Sequence, residues 1–448
     1  MTRRATEQYC AQHLGTAELP DDQPYSKHKH NLARVSCPLD PGHSIWLRDL
    51  QRHLKRCQAT KEVVSSAWFV PNINLLRPEP DKFPSVTPDA PITFEEYQKW
   101  VAFVEQFYGK EIQGTKYTDI PLRELKHEGL ERRLGELSNK KHAIQQGSLI
   151  ATLGNVGLLL SENCFVEFGA GRGELSRYLH QALLHRYNNA PTHAPSFLLI
   201  DRSGMRMKLD SKIIKDAEDL GSKYPTPPIV HRIKTDIKDL DLRREDDKQL
   251  QKRSDGKGGV VAISKHLCGA ATDLTIQCVM NYIGSKKDGD EMMDLAGIMI
   301  ALCCRHRCSY SSYPLQYLTK YAKIDPRGFE ILSKMSSWAV CGRRPQHRNA
   351  SDSGNTVETK SERTQVDDDG YDGEHDDSDN ECDQDGQTHI SRIPIARREE
   401  IGIKVRSILD YGRVRNLEDQ GFQVKLIRYV DKAISSENVC LLAIPIRK

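Results

Sequence analysis

VEFGAGRGELS, residues 166–176, runs an apolar strand-like stretch directly into Gly169, Gly171 and Gly173, and from there into an amphipathic helix. Glycines at a strand-to-helix turn accept backbone angles closed to other residues and let a ligand lie against the main chain. The spacing is G-x-G-x-G, with Glu174 where a dinucleotide fingerprint places its third glycine, so a pyrophosphate-bearing cofactor is disfavoured. An acidic side chain carries no penalty where no phosphate is held. Glu167, at the strand end, is suited to orienting the amino-acid portion of a cationic cofactor, which points to a sulfonium.

Working outward, SFLLID ends in Asp201, which a second parallel strand presents at the same sheet edge, where a carboxylate accepts both ribose hydroxyls. Asp236, closing RIKTD, is placed toward the adenine end. Either aspartate alone is as readily a turn residue or helix cap; their order and spacing imply a nucleoside-bearing cofactor. The candidate strands Phe165–Phe168, Phe197–Ile200, Val230–Ile233, Val260–Ile263 and Ile298–Leu302 alternate with helical stretches, the pattern of an α/β fold whose mainly parallel sheet has helices on both faces. Helical spacing is also expected over Phe94–Tyr108, residues 139–160 and Ile401–Gly412, and a terminal strand pair over Gln423–Val430 and Val439–Ile446.

Two segments lie outside that pattern. Cys37, His43, His53 and Cys57 give C-x5-H-x9-H-x3-C, with His53 and Cys57 four apart on one helix face. Four such ligands match a closed tetrahedral zinc site, in which the metal supplies folding energy that so small a module cannot gain by burial. Arg48, Arg52, Lys55 and Arg56 on the same module suit a nucleic-acid backbone, or simply solvate the helix. Cys10 and His13 form a C-x2-H half-site, incomplete on its own. The second segment, residues 351–387, holds fourteen acidic residues against Lys360 and Arg363; outside it, 63 basic residues face 48 acidic ones, a net +15 that suits a polyanionic partner. No apolar run approaches the roughly 20 residues that span a bilayer, so no membrane association is expected. Met1 to Cys10 lacks the apolar stretch of a signal peptide, which places the twelve cysteines in a reducing compartment, as thiols or zinc ligands.

Taken together, the CHHC finger, VEFGAGRGELS, KHLCGAATDL (265–274), CCRHRC (303–308) and the stretch from Ile408 through Arg428–Tyr429–Val430–Asp431 to Val439 resemble the eukaryotic tRNA 2′-O-methyltransferases that modify the fourth nucleotide of the acceptor stem. The resemblance covers nearly the whole chain. It implies a Rossmann-type S-adenosylmethionine-dependent methyltransferase domain with a small N-terminal zinc finger, S-adenosylmethionine and zinc as cofactors, and tRNA as the partner. The Ser, Asp and Gly content of residues 343–390 and their lack of apolar periodicity predict a disordered acidic insertion. The chain then reads as residues 1–36, a remnant of a CCCH-type finger and linker; 37–60, the CHHC finger; 61–138, a linker and helical segment; 139–342 and 391–448, the methyltransferase domain; and 343–390, the insertion. In such proteins Cys10 and His13 look like the last two ligands of a first finger whose leading cysteines are missing here, so that finger is truncated or lost.

Methyl transfer from a sulfonium to a hydroxyl is an in-line displacement that gains most from alignment, with help from a base or cation that lowers the hydroxyl's proton affinity. Lys265 and His266, after the strand VVAIS, are the first candidates; Arg305 and His306, after GIMIALCC, are candidates for orienting a phosphate or assisting proton transfer. Ordinary hydrogen bonding at a strand end is the alternative for both pairs. Cys303, Cys304, His306 and Cys308 are spaced too tightly for four metal ligands at one strand end. Two other functions compete: a methyltransferase for another substrate, and an RNA-binding zinc-finger adaptor with a non-catalytic Rossmann domain. No stable protein partner is expected, and the location is cytoplasm, nucleus or both.

Overall fold

The computed structural model describes residues 34–37, 40–54, 67–77, 91–186, 191–204, 208–219, 224–243, 250–251, 255–284, 292–341 and 389–446. Cys10, His13 and Cys57 lie outside them, as does all of the acidic insertion before residue 389.

The chain opens on an antiparallel pair, β1 (Arg34–Cys37) and β2 (Asp40–Trp46), followed by the short α1 (Leu50–Leu54). Next comes α2 (Phe94–Phe107), started by Thr93 and Glu96 in a reciprocal capping box. Then α3 (Glu131–Glu136) and α4 (Lys141–Asn155) precede the alternation that builds the main sheet. It runs β3 (Cys164–Phe168), α5 (Glu174–Arg186), β4 (Ser196–Asp201), α6 (Asp210–Asp219), β5 (Ile229–Lys234), β6 (Val260–Leu267), α7 (Ala270–Gly284) and β7 (Leu295–Leu302). After α8 (Pro326–Met335) and α9 (Ile395–Asp419), β8 (Phe422–Arg428) and β9 (Val439–Pro445) close the chain.

Seven strands lie in the order β5-β4-β3-β6-β7-β9-β8, the first five parallel, β9 antiparallel to β7 and β8 antiparallel to β9. Strand order reverses between β3 and β6, the switch point where open α/β sheets bind ligands at their carboxyl ends. Alternate side chains feed two cores, as a sheet covered on both faces requires. Val166, Leu198, Ala262 and Ile298 pack with Leu274 and Val279 of α7 and Val414 and Leu417 of α9. Phe165, Phe197, Val261 and Met299 pack with Leu149 and Leu153 of α4 and Leu179 and Leu183 of α5. A third cluster joins Trp100, Phe103 and Phe107 of α2 to Phe329 and Leu332 of α8 and Ile401 and Val405 of α9. No described helix is long and apolar enough to cross a membrane.

Candidate active site

At the carboxyl end of β3 the three glycines adopt positive φ of 65°, 50° and 85°, angles that cost a residue with a Cβ roughly 1–2 kcal/mol. Space adds a second demand at two of them. A Cβ on Gly169 would stand 2.6 Å from the His266 carbonyl oxygen, and one on Gly173 would stand 3.1 Å from Leu199. A Cβ on Gly171 would meet nothing within 4 Å, so this residue borders open space. The turn is held from three sides. The Gly171 N–H donates to Asp201 Oδ2 at 2.8 Å, the Ala170 N–H to the Ile200 carbonyl at 3.0 Å, and Arg232 Nη1 to the Gly171 carbonyl at 2.7 Å. Arg232, which the sequence did not single out, is itself fixed by both oxygens of Asp210.

Four carboxylates lie at or beside this sheet edge. Glu167 is 3% exposed, and its Oε2 accepts the backbone N–H and the hydroxyl of Ser176. Burial outweighs those two donors and pushes its pKa up to about 7. This corrects the expected role: Glu167, buried, fastens the strand to the first turn of α5 through Ser176. Asp201 ends β4 at the open edge, with Oδ1 accepting Ser203 and Oδ2 accepting Gly171. Asp236 lies just beyond β5 and caps the 3-10 turn Ile237–Asp239 by accepting the Lys238 N–H at 3.0 Å, so it is a cap at the same sheet edge. Glu174, in the third-glycine position of a dinucleotide motif, is bound by Arg133 at 3.1 Å and Gln146 at 2.8 Å.

The neighbouring strand β6 carries one extra residue against β7: Ser264 pairs with Ile300 and Leu267 with Leu302, so three steps on β6 face two on β7. Such a bulge re-aims side chains and is common beside active sites. Here it falls on Lys265 and His266. Lys265 is 6% exposed and its Nζ lies 2.8 Å from both His266 Nε2 and His142 Nδ1, the latter from the first turn of α4. An ammonium has only donors, so its presence makes both ring nitrogens acceptors and fixes both tautomers. His266 keeps solvent on one side. The loss of water on its other sides, together with the Lys265 cation and His142, pushes its pKa well down and leaves the ring neutral. His142 gave no sequence signal, since one histidine at a helix start acquires a partner only when α4 crosses the sheet.

Arg305 requires a correction like that of Glu167. It is 3% exposed, with Nε and Nη2 on Asp410 at 2.9 and 2.8 Å and Nη1 on Glu437 at 2.7 Å. Its donors are committed inside the protein, which removes it from any role toward a substrate phosphate. His306, next on the same turn, is half-buried, and burial lowers its pKa. Cys308 lies beside Arg413, 2.9 Å from Nη2, apart from Cys303 and Cys304, so the CCRHRC stretch does not converge as one ligand set. A surface depression lined by Lys99, Trp100, Phe103, Gln106 and Tyr321 lies on the α2 side and includes none of these residues.

Residues 144–444 match the family model described as Methyltransferase TRM13. The chain belongs to this family. Residues 34–58 also match the U11-48K-like CHHC zinc finger. A relative in Yarrowia lipolytica, "tRNA:m(4)X modification enzyme TRM13", is 36% identical over 99% of this chain and 86% of its own length. The proteins of that name in Scheffersomyces stipitis (35% identity; 98% and 96% of the two chains) and Saccharomyces cerevisiae (34%; 99% and 92%) align as fully. Among solved structures, the plantazolicin methyltransferase BpumL in complex with SAH covers 79% of this chain and 98% of its own at 10% identity and a TM-score of 0.27, too loose a superposition to support any inference.

The methyl donor of this methyltransferase family member is S-adenosylmethionine, and the geometry suits it: open space at Gly171, a carboxylate at Asp201, and a turn whose Gly169 and Gly173 leave no room for a side chain. Zinc is the finger's ion. Cys37 is 1% exposed and its Sγ lies 3.2 Å from His53 Nε2, close to the separation of about 3.5 Å expected for two ligands of one tetrahedral zinc. The side chain of His43 is not described, and Cys57 lies outside the described residues.

Proposed function

We propose that this chain transfers a methyl group from S-adenosylmethionine to the ribose 2′-hydroxyl of nucleotide 4 in the tRNA acceptor stem. The observation that carries the reading is the contact of the glycine turn with the Lys265 strand. The Gly169 backbone packs against the His266 carbonyl, so the cofactor turn and the Lys265–His266–His142 cluster form one edge. The position within tRNA rests on the names of the relatives.

An acceptor stem is A-form helix, whose wide, shallow minor groove displays 2′-hydroxyls to a protein surface without strand opening. Bound S-adenosylmethionine supplies an electrophilic methyl on a sulfonium. Asp201 and the Gly171 loop orient the nucleoside portion. Lys265 holds positive charge where the attacking oxygen gains negative charge. His266 Nε2 and His142 Nδ1 both accept from Lys265 and hold that cation in place, so the hydroxyl proton passes to solvent water at the exposed edge as the oxygen–carbon bond forms. Alignment and the Lys265 charge therefore carry most of the acceleration. Arg48 and Arg52 lie exposed on the finger and would meet backbone phosphates.

Incubation with methyl-labelled cofactor and bulk tRNA, followed by nuclease digestion, tests this. A 2′-O-methyl group blocks cleavage at its own phosphodiester, so label is expected in the resistant dinucleotide that begins at nucleotide 4. Label in bases, at another ribose or in protein would overturn the assignment.

A further inference from the structure

Cys268 was not grouped with CCRHRC on sequence grounds, yet the fold brings it there. Leu267 of β6 and Leu302 of β7 are partners across the parallel ladder, so Cys268 and Cys303 leave adjacent strands side by side, their Sγ atoms 3.9 Å apart. Cys304 follows in the left-handed conformation, φ 41° and ψ 47°. Such backbone is unfavourable for a residue with a Cβ and persists only where its surroundings impose it. Arg305, next in the chain, is locked into buried ion pairs with Asp410 and Glu437. The result is three Sγ atoms all within 4.8 Å of one another, on one exposed and two half-buried cysteines.

We propose that Cys268, Cys303 and Cys304 form a second zinc site, separate from the finger, with three thiolate ligands and one corner left to solvent. Bonds of about 2.3 Å in a tetrahedron put sulfur atoms about 3.8 Å apart, which the Cys268–Cys303 separation matches. Soft thiolates select zinc over the hard oxygen-seeking cations. Three protein ligands with an open position is the arrangement of zinc sites that bind a further group, whereas structural sites close all four corners. Exposure of Cys268 leaves the fourth corner accessible. An ion here would tie the loop after β6, which follows Lys265 and His266, to the loop after β7.

The test uses the whole 448-residue chain carrying Cys37→Ser and Cys57→Ser, which removes the finger from the count. Reduced, freed of metal by a chelator and titrated with cadmium as a zinc substitute, it is expected to bind one equivalent with a thiolate-to-metal absorption band, and zinc is expected to displace it. Addition of Cys268→Ser and Cys303→Ser should abolish the band. Cys268→Ser alone, one atom changed at an exposed position, should weaken binding at least tenfold and serves if the multiple variant misfolds. No band in the finger-deleted chain would overturn the site, as would a band that survives Cys268→Ser undiminished. A Cys268–Cys303 disulfide whose reduction yields no cadmium binding would replace it with a redox pair.

Discussion

Lys265 sits against two imidazoles in a nearly closed site, and its charge is useful there only if the substrate oxygen arrives to share it. Its replacement by alanine should lower kcat by about 10²-fold or more while the dissociation constant for S-adenosylmethionine changes less than about twofold. Single-turnover kinetics beside calorimetric titration separates the two; equal losses would make Lys265 a structural residue. Glu167 makes a different prediction. Its folded-state pKa of about 7 lies above the ordinary 4.5, so the native state holds a proton more tightly than the unfolded chain does. Below pH 4.5 both states are protonated and ionisation favours neither; between about 4.5 and 7 the unfolded chain releases the proton that the native state keeps, so stability falls across that window and levels off above it. Glu167→Gln, which keeps an acceptor for Ser176, should therefore be more stable than the parent at pH 8 by about 2–3 kcal/mol and equal to it near pH 4.5. Denaturant melts at the two pH values decide this, and a difference independent of pH would contradict it.

At the scale of elements, the glycine turn separates folding from binding. Gly169→Ala drives a Cβ into the His266 carbonyl, so the β3–α5 turn and the β6 edge must part, costing upwards of about 2 kcal/mol and cofactor binding with it. Gly171→Ala meets no atom. It should cost about 1 kcal/mol and leave the thermal melt nearly intact, yet weaken S-adenosylmethionine binding more than tenfold, because the methyl enters the ligand's space. If both variants behave alike, Gly171 does not border the cofactor. The strands were legible because each is a short apolar run: Phe197–Ile200 was expected and Ser196–Asp201 is found. The helix expected over Ile401–Gly412 extends over Ile395–Asp419. Its first turns are charged and show no apolar stripe, and they are held by the ion pair of Arg397 to Glu105 on α2, a partner that periodicity cannot reveal.

Across the whole molecule, one buried ionic network joins segments far apart in sequence. Arg305 after β7 binds Asp410 on α9 and Glu437 before β9, while Arg413 on α9 binds both oxygens of Asp273 on α7 at 2.8 and 2.9 Å. Both arginines are essentially without solvent. Removing one partner of a buried pair leaves the other charge unpaired, at about 3–5 kcal/mol. Arg305→Met should therefore lower stability by that order, with kcat of the folded fraction within about twofold of the parent. A normal melt with a depressed kcat would restore Arg305 to the chemistry.

Local pattern determined the α/β class, the glycine turn, the position of Asp201 and the spacing of the finger ligands, since each depends on residues close together along the chain. Tertiary packing decided which side chains meet at the sheet edge. His142 reaches Lys265 only because α4 crosses the sheet, Cys268 reaches Cys303 only because β6 and β7 are neighbours, and Arg305 is withdrawn from solvent only because α9 lies over it. A charge or thiol reads identically in sequence whether it faces water or a partner distant along the chain, and burial, a property of the folded whole, sets which it does.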